Sequence, residues 1–229
     1  LQKNIKVIIP AFNEENAVGK VVSELPKSWV SEVIVVNNNS TDATSENAIA
    51  AGATVIEEPN QGYGRACLKG IEYLAESELK PDIVVFIDAD YSDFPAELPL
   101  LIAPILEQNM DMVIGSRELG NRENGSMTVP QIFGNWLATT LIRMIYGVRF
   151  TDLGPFRAIT YDALIALEMQ DQTYGWTVEM QVKAAKQKMR TTEVAVNYKK
   201  RIGHSKISGT IKGTILAGYK IITTIFKYA

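Results

Sequence analysis

Along the first half of the chain, short unbroken apolar runs alternate with longer stretches in which apolar residues return every three or four positions. The runs Ile5–Ile9, Val33–Val36, Ala53–Ile56, Ile83–Ile87 and Met112–Ile114 are rich in Val and Ile, the pattern of strands buried on both faces. Between them, Glu14–Leu25, Thr41–Ala51 and Arg65–Glu78 have the spacing and length of helices. Strand–helix alternation predicts a mainly parallel sheet with helices on its faces. Ligands of such sheets bind beyond the carboxyl ends of the strands, so the loops after the apolar runs are where chemistry is sought.

The second half is less regular. Pro130–Tyr146 reads as an amphipathic helix with Ile132, Trp136, Leu137, Leu141, Met144 and Ile145 near one face. Thr177–Lys188 reads as a further helix and Thr192–Tyr198 as a strand. Ile207–Tyr228 has apolar residues at 207, 211, 215, 222, 225 and 226, interrupted by Gly209, Gly213 and Gly218 and by Lys212, Lys220 and Lys227. There is no internal repeat, low-complexity tract or long linker, so residues 1–229 read as one domain.

Composition narrows the class. With 229 residues, 46% hydrophobic and 21% charged, the chain has enough interior for a sizeable core and is neither disordered nor collagen-like. A single cysteine, Cys67, and a single histidine, His204, exclude a disulfide scaffold, a cysteine-rich metal site and a multi-histidine zinc site. No charged segment followed by an apolar run opens the chain, so no secretion signal is expected. No stretch of about 18 apolar residues lacks a charge, so no membrane span is expected either.

The net charge of −3 hides an asymmetry. Residues 181–229 carry eleven Lys and Arg against one acid, Glu193, a balance of +10. The rest holds twelve basic and twenty-five acidic residues, a balance of −13. A basic end on an acidic body faces phosphate, nucleic acid or an anionic membrane, or it is a solvated helix face.

Candidate chemistry gathers at the predicted strand ends. Asp88-Ala89-Asp90 follows the Ile83–Ile87 run, and side chains two apart on an extended chain point the same way. Two such carboxylates either hold a hard divalent cation, Mg²⁺ or Mn²⁺, which in turn suits substrate phosphates, or they cap the helix that starts near Pro95. Pro10-Ala11-Phe12-Asn13-Glu14-Glu15 and Asn37-Asn38-Asn39-Ser40-Thr41-Asp42 form polar, turn-forming rims after the first two strands. Asn60-Gln61-Gly62-Tyr63-Gly64-Arg65 opens a helix with glycines that permit close backbone approach and an arginine within reach of a phosphate. Lys199, Lys200, Arg201 and Lys206 crowd around Gly203, as a phosphate-gripping loop or a solvated basic turn would.

These motifs, in this order, together with VIGSR, resemble the family 2 glycosyltransferases of the GT-A fold. TDLGPFRAI, GWTVEMQVKA and RIGHSKISG resemble the branch of dolichyl-phosphate mannose synthases and polyprenyl-phosphate glycosyltransferases. The resemblance implies an α/β GT-A fold: a mainly parallel, mixed central sheet flanked by helices, with a C-terminal amphipathic helix. It divides the chain into a nucleotide-binding half (1–116), an acceptor half (117–206) and that helix (207–229).

The implied activity is inverting, metal-dependent transfer of a sugar from a UDP- or GDP-sugar to a polyprenyl phosphate at the cytosolic membrane face. Pro10, Phe12, Glu14, Asn39, Asp42, Gly62, Arg65, Asp88 and Ala89 would take the nucleotide. Asp88 and Asp90 would hold Mg²⁺ or Mn²⁺, while Ser92 stands where relatives often have a glutamine ligand. Arg117, Arg157, Arg201, Ser205 and Lys206 would bind phosphate of donor or acceptor. The implied partners are the nucleotide-sugar, a polyprenyl phosphate or other lipid-linked acceptor and the membrane surface, not nucleic acid; self-association is left open.

The chemistry leaves the acceptor open. A phosphate acceptor is already anionic, so Asp90 with its metal and Arg117 suffice to neutralise the leaving diphosphate. A hydroxyl acceptor needs a base, for which Glu179 and Asp152 are the candidates. A non-catalytic module binding nucleotide or anionic lipid is a lesser alternative. The absence of a G-x-G-x-x-G after the first strand disfavours a dehydrogenase.

Overall fold

The structure is a computed structural model that describes residues 3–203 and 211–229. Seven strands, β1 (Ile5–Ala11), β2 (Glu32–Asn37), β3 (Thr54–Glu57), β4 (Ile83–Phe86), β5 (Met112–Ser116), β6 (Arg157–Thr160) and β7 (Thr191–Ala195), form one sheet. Their order is β3-β2-β1-β4-β6-β5-β7. β1 runs parallel to β2 and β4, β2 to β3, and β5 to β7, while β6 is antiparallel to both its neighbours. The expected mixed, mainly parallel α/β architecture is therefore present. The five apolar runs of the first half became β1 to β5, and β7 begins one residue before the predicted strand and ends earlier.

β6 was not predicted. Its four residues, Arg-Ala-Ile-Thr, begin with a charge and are too short to show a period, although the first three are buried. Helices α1 (Val18–Glu24), α2 (Thr44–Ala50), α3 (Tyr63–Glu76), α5 (Val129–Tyr146) and α7 (Trp176–Lys186) match predicted ones, α4 (Leu98–Gln108) follows the helix start expected near Pro95, and the short α6 (Tyr161–Ala166) was missed. Prolines, one near the start of α4 and Pro104 within it, hide the rest of its pattern. α1 and α2 start later than their patterns suggested, because the preceding residues are turns: the amides of Ala17 and Val18 both reach back to the Glu14 carbonyl.

Alternate residues of the strands feed two cores. On one face Ile8, Ile34, Phe86 and Ile114 pack with residues of α3, α5 and α7. On the other Ile9, Val35, Val85 and Val113 pack with residues of α1 and α4. The last helix, α8 (Ile211–Lys227), lies against α5 and α7. Its Ile225 is fully buried, the Tyr146 phenol donates to the Ile225 carbonyl, and Lys186 donates to the Tyr228 carbonyl at 2.9 Å. Leu216, Tyr219 and Phe226 remain exposed on it. Among the described residues no helix is long and apolar enough to cross a membrane.

From β1 the chain builds outward through β2 and β3, then returns to place β4 on the other side of β1. That reversal opens a crevice beyond the carboxyl ends of β1 and β4.

Candidate active site

The three strand ends at this crevice share a backbone device. Asn13 (φ 53°), Asn39 (φ 65°) and Tyr91 (φ 63°) are left-handed just after β1, β2 and the β4 end. Asparagine tolerates this conformation, whereas a bulky residue needs its surroundings to hold it, and such strain collects at functional sites. Tyr91 is held by its phenol against Glu24 and by the Lys199 ammonium 3.2 Å from its ring centre.

The cleft is lined by Pro10, Ala11, Phe12 and Glu14 from β1 and its loop, Asn38 after β2, Gln61, Gly62, Tyr63 and Ala66 at the head of α3, Asp88, Ala89 and Asp90 after β4, and Tyr174 and Arg201 from the second half. The carboxamide of Asn38 fixes the rim, accepting from the Gly62 amide at 2.7 Å and donating to the Asn60 carbonyl at 2.7 Å.

Two carboxylates dominate the floor. Burial, and then the charge of Asp90, push the Asp88 carboxyl up to about 7. Tyr63 donates its phenol to Asp88 at 2.9 Å. Asp90 is buried and accepts from the amide and hydroxyl of Ser92. So Ser92 orients Asp90 instead of adding a long-armed ligand. Arg201 spans the mouth, with Nη1 3.1 Å from Asp90 and Nη2 2.9 Å from Glu14. Its Nε is buried without a partner among the described residues. Among the described residues no cluster of three or more His, Cys, Asp or Glu side chains could hold a metal. A pair of carboxylates facing an open cleft suits instead a hard cation that completes its shell with water and phosphate oxygens, as Mg²⁺ does.

Behind the floor lies Arg117. Its Nε and Nη2 donate to Asp152 at 2.7 Å each, and its amide adds a bond at 2.8 Å. Burial alone would raise the Asp152 carboxyl, but Arg117 outweighs it and holds the group below the usual range. Asp93, which feels the charges of both this pair and the floor, is fully buried, with neither oxygen hydrogen-bonded among the described residues.

Residues 6–167 match the profile of the Glycosyl transferase family 2.

The chain belongs to that family.

This glycosyltransferase is 34% identical over 216 residues to an uncharacterised glycosyltransferase of Mycobacterium tuberculosis, covering 93% of this chain and 94% of that one. It is 29% identical over 227 residues to the undecaprenyl-phosphate mannosyltransferase of Micrococcus luteus, covering 91% and 89%. Glucosyl-3-phosphoglycerate synthase of M. tuberculosis, solved with Mn²⁺, UDP-glucose and phosphoglyceric acid, superposes with a TM-score of 0.77 at 22% identity, over 99% of this chain and 79% of that one. That likeness establishes the GT-A fold.

Of the sequence-expected site residues, the glycosyltransferase brings Pro10, Phe12, Glu14, Gly62, Asp88, Ala89, Asp90 and Arg201 into one cleft. Others have different company. Arg157, expected at a phosphate, is fully buried and donates to the carbonyls of Leu153, Gly154 and Thr177, and burial lowers its guanidinium to about 10. It staples β6 to α7. Asp42 orders its own loop, accepting from the amides of Thr44 at 3.1 Å and Glu15 at 3.3 Å. Asn39 is exposed, and Arg65 is half-buried outside the cleft lining.

The glycines after Asn60 do receive a close backbone approach, from the chain itself. A Cβ on Gly62 would meet the Gln172 carbonyl at 2.3 Å, and one on Gly64 the Asp171 carbonyl at 2.0 Å. The first amides of α3 are thereby capped, with Arg65 donating to Gln172 at 3.1 Å. Glu179, fully buried on α7, pairs with Lys183 at 2.8 Å and accepts from the Tyr228 phenol at 2.7 Å and the Asp171 amide at 2.7 Å. Ser205 and Lys206 lie outside the described residues. Sequence reasoning did not name Asn38, Tyr63 or Tyr174 as site residues; Tyr63 at least stood inside a motif already read as a ligand loop.

Proposed function

We propose that this protein is an inverting, metal-dependent glycosyltransferase moving a sugar from a nucleotide-sugar to a polyprenyl phosphate at the cytosolic face of a membrane. The observation that carries the acceptor assignment is the state of its carboxylates. Asp152 and Glu179, the candidate bases for a hydroxyl acceptor, are both outside the cleft lining. Both are held below the usual carboxylate range against the push of burial, Asp152 by Arg117 and Glu179 by Lys183, Tyr228 and backbone amides. A carboxylate so stabilised is a poor proton acceptor. A phosphate acceptor needs none, since its oxygen is anionic before it attacks.

The cleft residues suit the donor. Asp88 and Asp90 would hold Mg²⁺ or Mn²⁺, which when bound neutralises charge on the departing diphosphate. Arg201, with a free buried Nε, donates to the same phosphates. Phe12, Tyr63 and Tyr174 give the nucleotide apolar and aromatic walls. The acceptor oxygen forms its bond to the anomeric carbon as the bond to the diphosphate breaks on the opposite face, which inverts the configuration.

The lipid end has support on α5. Val129, Phe133, Trp136 and Met144 are exposed there, beside a groove lined by Trp136, Phe150, Arg143 and Arg149. An exposed apolar strip next to arginines suits an acyl or prenyl chain with an anionic head. The homology to an undecaprenyl-phosphate mannosyltransferase agrees.

The test compares a polyprenyl phosphate with the polyprenol of the same chain length in detergent or vesicles. UDP- and GDP-sugars are supplied in turn with Mn²⁺. Transfer to the phosphate and not to the alcohol is expected. Transfer to the alcohol, or to a soluble hydroxyl acceptor alone, would overturn the assignment.

A further inference from the structure

Tyr174 is the only cleft residue between 91 and 200, and the loop that carries it, residues 170–175, is gripped from two sides. On one side stands the C-terminal helix. Lys220 of α8 lies 2.9 Å from Asp171 Oδ2, and Tyr228 just beyond α8 donates to Glu179 at 2.7 Å. Those two carboxylates in turn build the loop. Asp171 Oδ1 accepts from the amides of Thr173 at 2.8 Å and Gly175 at 3.2 Å. Glu179 accepts from the amides of Gln170 and Asp171. The fit is close: a Cβ on Gly175 would meet the Thr224 hydroxyl of α8 at 2.7 Å.

On the other side stands α3. The carbonyls of Gln172 and Thr173 accept from the amides of Arg65 at 3.1 Å and Gly64 at 3.3 Å. The first residue of that helix is Tyr63, whose phenol holds Asp88. A continuous set of contacts therefore runs from α8 through the loop to a cleft aromatic and to a floor carboxylate. Its two carboxylates are shielded, Asp171 with 6% and Glu179 with 0% of the side chain exposed. Hydrogen bonds and ion pairs hold geometry more firmly there than at an open surface, although the Lys220 end is partly open to solvent.

We propose that Asp171 and Glu179 are positioning residues, through which the C-terminal helix fixes Tyr174 and the head of α3 against the nucleoside diphosphate. Neither carboxylate touches the reacting atoms. Each sets the shape of the donor side of the cleft, and α8 is the part that locks them. This rests on the reading of the cleft as a donor site.

The experiment measures UDP and GDP binding with Mn²⁺ by calorimetry on the full chain, with thermal unfolding recorded beside it. Asp171→Asn keeps the loop bonds and removes the charge facing Lys220, so it should match Lys220→Ala. Both should weaken the nucleotide that wild type binds by roughly 2- to 30-fold. Lys220→Arg should restore wild-type affinity, and the Lys220→Ala/Tyr228→Phe pair should exceed either change alone. Donor KM should rise with kcat largely kept. Wild-type affinity in Lys220→Ala and in the double variant would overturn the inference. Failure of wild type to bind either nucleotide would instead overturn the donor-site reading.

Discussion

The guanidinium of Arg201 lies 3.1 Å from Asp90, so a cation of the chain itself sits on one of the two carboxylates offered to a metal. The same side chain holds Glu14 at 2.9 Å, tying the basic segment after β7 to the loop after β1. The amide of Ile202 adds a bond of 2.9 Å to the Asp90 carbonyl. On the proposed donor-site reading, Arg201 would compete with a divalent ion for Asp90 and would grip the diphosphate of the donor.

Two opposite effects are expected from Arg201→Ala. Mn²⁺ binding to the nucleotide-free protein should tighten by about tenfold or less, the scale of one partly exposed ion pair. Nucleotide binding in the presence of Mn²⁺ should weaken. Calorimetric titrations with and without UDP or GDP read both; a change of the same sign in both would refute the competition.

Asp88 gives a pH signature. Its carboxyl titrates at about 7 in the fold, and an unfolded aspartate at about 3.9. Between those values the native protein holds more protons than the unfolded chain, so metal-free stability falls as pH rises through the window and levels off above it. Thermal midpoints in chelator, taken from about pH 4.5 to 8, should show that fall. Asp88→Asn should make it shallower, and an identical slope in the variant would show that Asp88 is not its source.

Asp152 is expected to matter for stability before it matters for catalysis. It is fully buried beneath a bidentate Arg117, and removing it strands a buried guanidinium. Asp152→Ala should cost about 3–5 kcal/mol in urea unfolding. Because the folded carboxyl lies below its usual range, its stabilisation is present above the ordinary aspartate pKa and is lost as pH falls through the folded value. A loss under 1 kcal/mol at neutral pH would show that the pair is not a major support.

The parts of this molecule that were legible in its sequence are those where one physical demand acts alone. β1, β2 and β4 are buried on both faces, and that demand writes an unbroken apolar run. Asp88 and Asp90 stand out because acids end such a run. Where two demands meet, the signal fails. Arg157 begins a strand and staples a core, yet a lone arginine after Gly-Pro reads like a phosphate ligand. The glycines at 62 and 64 signal a close approach correctly, but not that the approaching backbone is residues 171–172 of the same chain. Asp171 and Glu179 find partners in Lys220 of α8 and in Tyr228 just beyond it, which are remote in sequence, and no local spacing encodes those contacts.

Asp93 presents the opposite case from Asp152. It is 1% exposed and neither carboxyl oxygen has a hydrogen-bond partner among the described residues. Burial pushes the group well above the usual range, the charges of Asp88 and Asp90 push the same way, and Arg117 pulls against them. Wherever the unfolded chain has released a proton that the native group still keeps, the residue costs stability, and the cost disappears once both states are protonated. Asp93→Asn, which keeps the shape and cannot ionise, should therefore raise stability by about 1–3 kcal/mol at pH 7 in urea unfolding, with little gain near pH 4. Equal stability of variant and wild type at pH 7 would mean that the carboxyl finds a partner in solution. A gain in stability joined to weaker Mn²⁺ binding would show that Asp93 supports the two floor carboxylates in holding a cation, at a cost in stability.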